Sequence, residues 1–321
     1  MLLFIVVLCS VLASANPLPG DPDAATLLQN GFADKALQLL NSQVQKNPND
    51  AQAYNLLGRV YFQLEQWEDA IRAEEKAVAL TPQNSEYHQW LGRAYGKKAE
   101  VARAVTAFNL VRKVKGEFEK AVSLDTAGKN LSARADLSEF YIEAPYIMGG
   151  DKTKARRLAE FVMKQDAALG HAMLGQLEEK QNAKDRAEQE YKSALQASGN
   201  RAHYWVTLAS FYRHSGRLQD MEAAINSSLK APGDDAVPLF DGASMLHTAG
   251  RNFPGAIQML RHYLSLDDPA EDGPAFQAHY LLGVLLEKQG DPKAALAEYR
   301  AAVALAAEYK PAQDAISRLS H

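Results

Sequence analysis

The chain has 321 residues, a formal charge of −4 and a single cysteine, Cys9. That charge balance argues against a general nucleic-acid binder. With one cysteine, intrachain disulfides, Cys-ligated zinc and iron–sulfur clusters are excluded.

Residues 1–15 read MLLFIVVLCSVLASA. The apolar run from Leu2 to Leu12 is too short to span a bilayer. Ala13-Ser14-Ala15 fits the small-x-small pattern at which signal peptides are cut. The expected mature chain therefore starts at Asn16-Pro17, with 16–22 as a linker, and the protein is expected to be exported to a periplasmic or extracellular space. No Lys or Arg precedes the run, so an uncleaved membrane anchor stays open as an alternative. No transmembrane span is expected in the mature chain.

From residue 23 onward the sequence repeats itself. The first unit is weak: Ala36, Leu40 and Pro48 suit a second helix, but its first helix, near 23–30, is short. Next come AYNLLGRVYFQLEQWEDAIRAEEKAVALTP (53–82) and YHQWLGRAYGKKAEVARAVTAFNLV (87–111). Leu57-Gly58 and Tyr61 recur 34 residues on as Leu91-Gly92 and Tyr95, and Ala70 as Ala104. Later units carry Leu174-Gly175, Ala187, Tyr191 and Ala194, then Trp205, Leu208-Ala209 and Tyr212, and finally Leu282-Gly283, Ala295, Tyr299 and Ala302. Residues 237–268 match weakly through Ala256, Leu260 and Tyr263. Within each unit, apolar residues at three- and four-residue spacing share one helical face. Small residues sit where a neighbouring helix must approach, and large ones fill the gaps. One such hairpin cannot bury its apolar face alone, so successive hairpins must stack.

This pattern resembles the tetratricopeptide-repeat family: in residues 51–84 it appears as Tyr54, Leu57, Gly58, Tyr61, Ala70, Ala77 and Pro82. Glu74 departs from it, standing where an aromatic is usual, and Phe108 is expected to restore the aromatic in the next unit. The resemblance implies an all-α, right-handed superhelical solenoid of about eight helix-turn-helix units over 23–308. Residues 309–321 read as a C-terminal capping helix.

Two stretches break the period. Phe108 and Phe118 both suit the aromatic position of one second helix, which predicts a helix lengthened by about ten residues, near 100–123. In YIEAPYIMGGDKTKARRLAEF (141–161) the fitting alanine is Ala155, which predicts an enlarged loop at 144–152. Tyr146, Ile147 and Met148 in that loop either fold back onto the lengthened helix or form an exposed apolar contact for a partner. The glycines of Gly149-Gly150-Asp151-Lys152 hint at a phosphate cradle, but the spacing G-x-x-x-x-G-K-[ST] and its preceding strand are both missing.

No catalytic constellation is present: there is no H-E-x-x-H, no G-x-S-x-G and no nucleotide-binding glycine loop. His88, His171 and His279 occupy one position of their units and read as packing residues. No cofactor or metal is expected.

The family uses its concave face for binding. By that resemblance the groove includes Asn55, Arg59 and Gln63, then Gln89, Arg93 and Lys97, with His203, Arg213 and His214 further along. Asn55 and Arg59, like Gln89 and Arg93, are four apart and share a face. Arginine offers a rigid fork of donors for carboxylates, so the expected ligand is a protein or peptide with an acidic or C-terminal segment. The Lys and Asn clamp of the chaperone-tail-binding branch is not reproduced. The expectation is a non-catalytic interaction scaffold of the cell envelope. An envelope enzyme with an unrecognised site, or a structural spacer without a groove ligand, are the rival readings.

Overall fold

A computed structural model describes residues 22–232, 236–266, 271 and 273–320. The expected leader 1–15, and all of the 16–22 linker but Pro22, lie outside the described residues. Among the described residues the fold is all-helical, in antiparallel pairs along the chain. The pairs are α1 (Ala24–Gln29) with α2 (Ala33–Lys46), α3 (Ala51–Gln63) with α4 (Trp67–Leu80), and α5 (Ser85–Val101) with α6 (Ala104–Leu124). Then come α7 (Leu131–Glu143) with α8 (Lys152–Met163), α9 (Ala167–Lys180) with α10 (Lys184–Ala197), and α11 (Ala202–His214) with α12 (Leu218–Ser228). The last pairs are α13 (Val237–Thr248) with α14 (Phe253–Tyr263) and α15 (Ala275–Lys288) with α16 (Pro292–Leu305), followed by α17 (Lys310–Leu319). These eight pairs form the right-handed solenoid expected from the repeat.

Local chemistry starts and stops these helices. Asp50, Asn130, Asp166 and Asp291 each accept a hydrogen bond from the backbone N–H three residues on, at 2.9–3.0 Å. Proline occupies the first turn of α13, α14, α16 and α17, where its missing N–H costs nothing. Six of the turns inside the pairs end their first helix in one way: a left-handed residue, then an N–H returning to the carbonyl five residues back; between α7 and α8 the same step, at Gly149 and Gly150, closes the extra turn 146–148 instead. Gln66 to Tyr61 (2.9 Å), Arg217 to Tyr212 (2.8 Å) and Asp291 to Leu286 (3.0 Å) are examples.

Each pair is set by a close approach of its helices. A methyl group on Gly175 would lie 2.8 Å from the Tyr191 ring, and one on Gly283 would lie 2.5 Å from Tyr299. At the equivalent place Gly58 meets the Glu74 carboxylate, 2.4 Å from a built Cβ. Glu74 is buried, and both of its oxygens accept from Asn55 Nδ2, at 3.1 and 2.9 Å. Burial pushes its pKa well above the usual carboxylate value.

The third pair departs from the expected register. Ala104 does not repeat Ala70: Ala70 is fully buried, whereas Ala104 is exposed. The ring against Gly92 is Phe118, and Val114 and Ala121 take the buried alanine places, about ten residues later than a uniform period requires. Phe108 is left 45 % exposed, so it does not restore the aromatic. The extra length is shared by both helices: α5 has 17 residues against 13 in α3, and α6 has 21 against 14 in α4. A helix starting near Glu100 does not form, because Ala102 and Arg103 are extended (ψ 156° and 151°) and separate α5 from α6.

The first units also touch the last ones. Gln63 Nε2 donates to the Glu271 carbonyl (3.0 Å) and Gln277 Nε2 to the Gln63 carbonyl (2.9 Å). The Ala307 N–H is shared between both Asp34 oxygens at 3.0 Å. Leu27, Leu28 and Leu57 share one apolar cluster with Phe276, Ala306 and Tyr309. The segment 309–321, expected as a capping helix, packs through Ala312 on this closure and through Ala315 on the carboxy-terminal core. At the seam Gly31 has φ +69°, and a methyl group there would fall 2.6 Å from the Ala275 nitrogen.

Two outcomes follow. Gly31→Val is expected to open the seam, raising the radius of gyration in small-angle scattering and costing about 1–2 kcal/mol of stability for the left-handed backbone alone. An unchanged scattering curve would refute the closure. Glu74→Gln keeps the shape without a buried acid, and is expected to gain about 1–3 kcal/mol at pH 7 in urea unfolding. That gain should vanish at low pH, where Glu74 is protonated in both states.

Candidate functional site

By the repeat resemblance the first helices of the pairs are those that line the concave face. Along it the structure separates the expected groove residues into committed and open ones. Asn55 is buried on Glu74. Arg59 belongs to the seam: its Nε donates to Glu271 Oε1 (2.9 Å) and its Nη1 to Glu86 (3.3 Å). Gln63 is held by the Leu28 and Glu271 carbonyls. Gln89 donates to Ser132 (3.0 Å) and Asp136 (2.7 Å), and Arg93 grips the same Asp136 with Nε at 2.7 Å and Nη2 at 3.2 Å. The guanidinium groups of Arg59 and Arg93 both face the Trp90 ring, at 5.0 and 4.7 Å. Lys97 reaches Glu100 at 3.2 Å. The expected basic ladder is therefore already neutralised by carboxylates from within the chain.

The open part of the face lies further along. A cleft of about 400 Å³ runs between α7, α9 and α11, with Glu139, Gln176, Glu179, Ser210 and His214 in its wall. A second, of about 380 Å³, lies between α11 and α13, with His203, Thr207, Arg213, Asp241 and Ser244. His214 bridges the first cleft: Nδ1 lies 2.9 Å from Glu179 and Nε2 2.7 Å from Arg213 Nη2, so Nε2 accepts and Nδ1 donates. His203 stands edge-on to Tyr204 at 5.1 Å. Among the described residues Glu139 has no hydrogen-bond or ion-pair partner. Although it is exposed, its pKa is raised, first by partial desolvation among the surrounding helices and then by the like charges of Asp136 and Glu143. Glu139, Gln176 and Glu179 were missed by sequence reasoning. The same repeat positions, applied to the units with Leu137 and Leu174-Gly175, would have named them.

Tyr146 and Ile147 are 90 % and 85 % exposed on a single 3-10 turn, Tyr146–Met148, while half-buried Met148 turns back towards α6. The neighbouring glycines form no phosphate cradle. Asp151 takes the Thr153 and Lys154 N–H groups at 3.0 Å, and a methyl group on Gly150 would strike the Ala144 carbonyl.

The three equivalent histidines have a role that the sequence did not reveal. The Nδ1 atoms of His88, His171 and His279 lie 2.6, 2.7 and 2.7 Å from Glu117, Glu190 and Glu298 on the partner helix. His88 also has the Pro82 carbonyl 3.1 Å from Nε2. Only the imidazolium donates from both nitrogens. A second ladder joins neighbouring units: Tyr95, Tyr141 and Tyr212 donate to Glu75 (2.5 Å), Glu119 (2.6 Å) and Glu188 (3.0 Å). Burial first, and the Glu188 carboxylate next, push the Tyr212 hydroxyl up to about 12.

Two family models, each described as "Tetratricopeptide repeat", match residues 27–94 and 245–310. The chain is a tetratricopeptide-repeat protein. It is 32 % identical over 88 residues to human "Tetratricopeptide repeat protein 33", covering 27 % of this chain and 34 % of that protein. It is 30 % identical over 91 residues to the Arabidopsis thaliana "Probable UDP-N-acetylglucosamine--peptide N-acetylglucosaminyltransferase SEC", covering 27 % of this chain and 9 % of that protein. The crystal structure of yeast Tom70 superposes with a TM-score of 0.53 at 17 % identity, over 94 % of this chain and 64 % of that one, a likeness of fold. In each case the chain spans less than two thirds of the relative's own length.

The His88 contacts set a pH dependence. Its hydrogen bond to Glu117 raises its pKa above the usual 6.5. The stabilisation is complete below pH 6.5 and is lost as the pH rises through the raised value. His88→Asn is expected to remove about 1 kcal/mol from the unfolding free energy at pH 6 and less at pH 9. An equal loss at both values would contradict the assignment.

Proposed function

We propose that this tetratricopeptide-repeat protein is a non-catalytic scaffold that holds a partner protein or peptide on its concave face. The observation that carries the reading is the pair of adjoining clefts between α7 and α13, built from the helices that present side chains inward. A rigid stack loses little ordering entropy on binding. The polar, narrow walls suit an extended segment whose own backbone and side chains supply the complementary donors and acceptors.

The expected preference for an acidic segment finds less support in this geometry. Arg59 and Arg93 already face Glu271, Glu86 and Asp136. An exposed carboxylate of the open clefts is Glu139, whose pKa is raised by partial desolvation first and then by the neighbouring charges of Asp136 and Glu143. We therefore favour a segment that brings a Lys or Arg to Glu139. Export to the cell envelope is also part of the proposal. Its support is the apolar run Leu2–Leu12 followed by Ala13-Ser14-Ala15. Among the described residues no helix is long and apolar enough to cross a membrane.

The test is site-specific photo-crosslinking in extract of the source cells, from Gln176 and Thr207 in the clefts and from Gln189 on the outer helix α10. A discrete adduct from the two cleft positions, absent from Gln189 and reduced about tenfold by Glu139→Arg, is the expected result. Adducts from Gln189 alone would sink the groove reading.

A further inference from the structure

The two irregular turns, α5 to α6 and α7 to α8, belong to adjacent hairpins and emerge at the same edge of the stack. The 3-10 turn packs on α6, with Gly149 against the Lys115 side chain. Because the α5–α6 hairpin is overlong, its tip projects past its neighbours. The tip is apolar: Val101 is 66 % exposed and Val105 80 %, beside Phe108 and the exposed Tyr146 and Ile147. An apolar cleft of about 500 Å³ lies between them, walled by Phe108, Val111, Phe140, Ala144 and Met148. Contiguous exposed apolar surface of this kind marks an interaction site.

Charge selects the occupant. Residues 97–115 and 144–157 hold ten Lys and Arg against two Asp and Glu, in a chain that totals 35 against 39; Lys97, Lys98, Lys113, Lys115 and Arg156 are paired with carboxylates, which leaves Arg103, Arg112, Lys152, Lys154 and Arg157 without an ion pair among the described residues. From Val101 to Gly116 there is no acidic residue. Arg103 and Lys152, which flank the two turns, are exposed and make no ion pair among the described residues. A projecting apolar edge with basic residues beside it fits a deformable, negatively charged boundary. Tyrosine is enriched where headgroups meet acyl chains, and basic residues beside an inserted apolar face draw it to anionic lipid. A protein partner would need its own complementary wall for two loops that stand out with Tyr146 and Ile147 almost bare. A lipid surface needs none.

We propose that this edge docks on an anionic lipid surface, with Val105, Phe108, Tyr146 and Ile147 entering the headgroup boundary and Arg103 and Lys152 facing the headgroups. This reading is independent of the concave clefts.

The experiment is flotation of the full chain with vesicles of phosphatidylcholine alone, or of equal parts phosphatidylcholine and phosphatidylglycerol. Binding to the mixed vesicles, weakened by salt and absent from phosphatidylcholine alone, is expected. The double variant Val105→Asp, Ile147→Asp should bind at least about tenfold more weakly, and Arg103→Glu should weaken binding in the same direction. Both positions of the double variant are exposed, so its circular dichroism and melting temperature should match the parent. No binding to the mixed vesicles overturns the proposal. So does undiminished binding of the double variant, which would assign attachment to the Leu2–Leu12 run. A concentration-dependent dimer that Ile147→Asp dissolves would instead give the edge to a second copy and overturn it too.

Discussion

The tightest helix pairs of this molecule depend on a contact that excludes one side chain. Where the two helices of a pair cross, Gly92, Gly175 and Gly283 present bare backbone to Phe118, Tyr191 and Tyr299. The approach lets a ring fill what would otherwise be a void, and close packing of that kind is costly to disturb. It also fixes the distance between helices, and hence the surface each pair offers to the next. Glu74 shows the constraint from the other side. The second pair keeps the glycine but loses the ring, and the space is filled by a carboxylate that needs Asn55 to satisfy it. A residue expected to read the ligand is thereby taken into the core.

The same contact explains what can vary. As long as the glycine and its large partner meet, chain can be added at the turn beyond them. The third pair does this with about ten residues; the fourth, which carries the 3-10 turn Tyr146–Met148, has Ser138 in place of the glycine and brings it against the Ala155 carbonyl of α8 instead. The six other turns use the left-handed cap, a compact solution that leaves little to project. Departures from the repeat thus accumulate at one edge of two adjacent pairs, where they enlarge the surface without altering the stack.

Fold and helix pairing were legible because they follow from spacing alone: Leu-Gly, Tyr and Ala recur at a helical period. The register of the third pair was misread because alanine is common. Ala104 matches Ala70 by chance, whereas the decisive partner of Gly92 is Phe118. The groove was half legible. Repeat positions put Arg59 and Arg93 on the first helices of their pairs, α3 and α5, but position says nothing about which carboxylate arrives opposite. Asp136 comes from the next pair, and Glu271 from the far end of the chain. The seam left no periodic trace, since contacts such as Asp34 with Ala307 join segments that are unrelated in pattern.

Those long-range contacts bear directly on function. An arginine fork that already holds a carboxylate must break that bond before it takes another, and the exchange yields little net gain. The seam and the Asp136 cluster therefore belong to the rigid frame. Binding free energy must come from groups without partners among the described residues: Glu139 in the clefts, and the apolar tip with Arg103 and Lys152 outside them. These differ in kind. The first is a single exposed carboxylate beside Asp136 and Glu143, suited to selecting one basic group. The second is an extended apolar edge with exposed basic side chains, suited to a broad surface with no fixed shape. A stack that keeps its strongest ion pairs for its own closure can present both at once, because neither site has to deform the frame to be used.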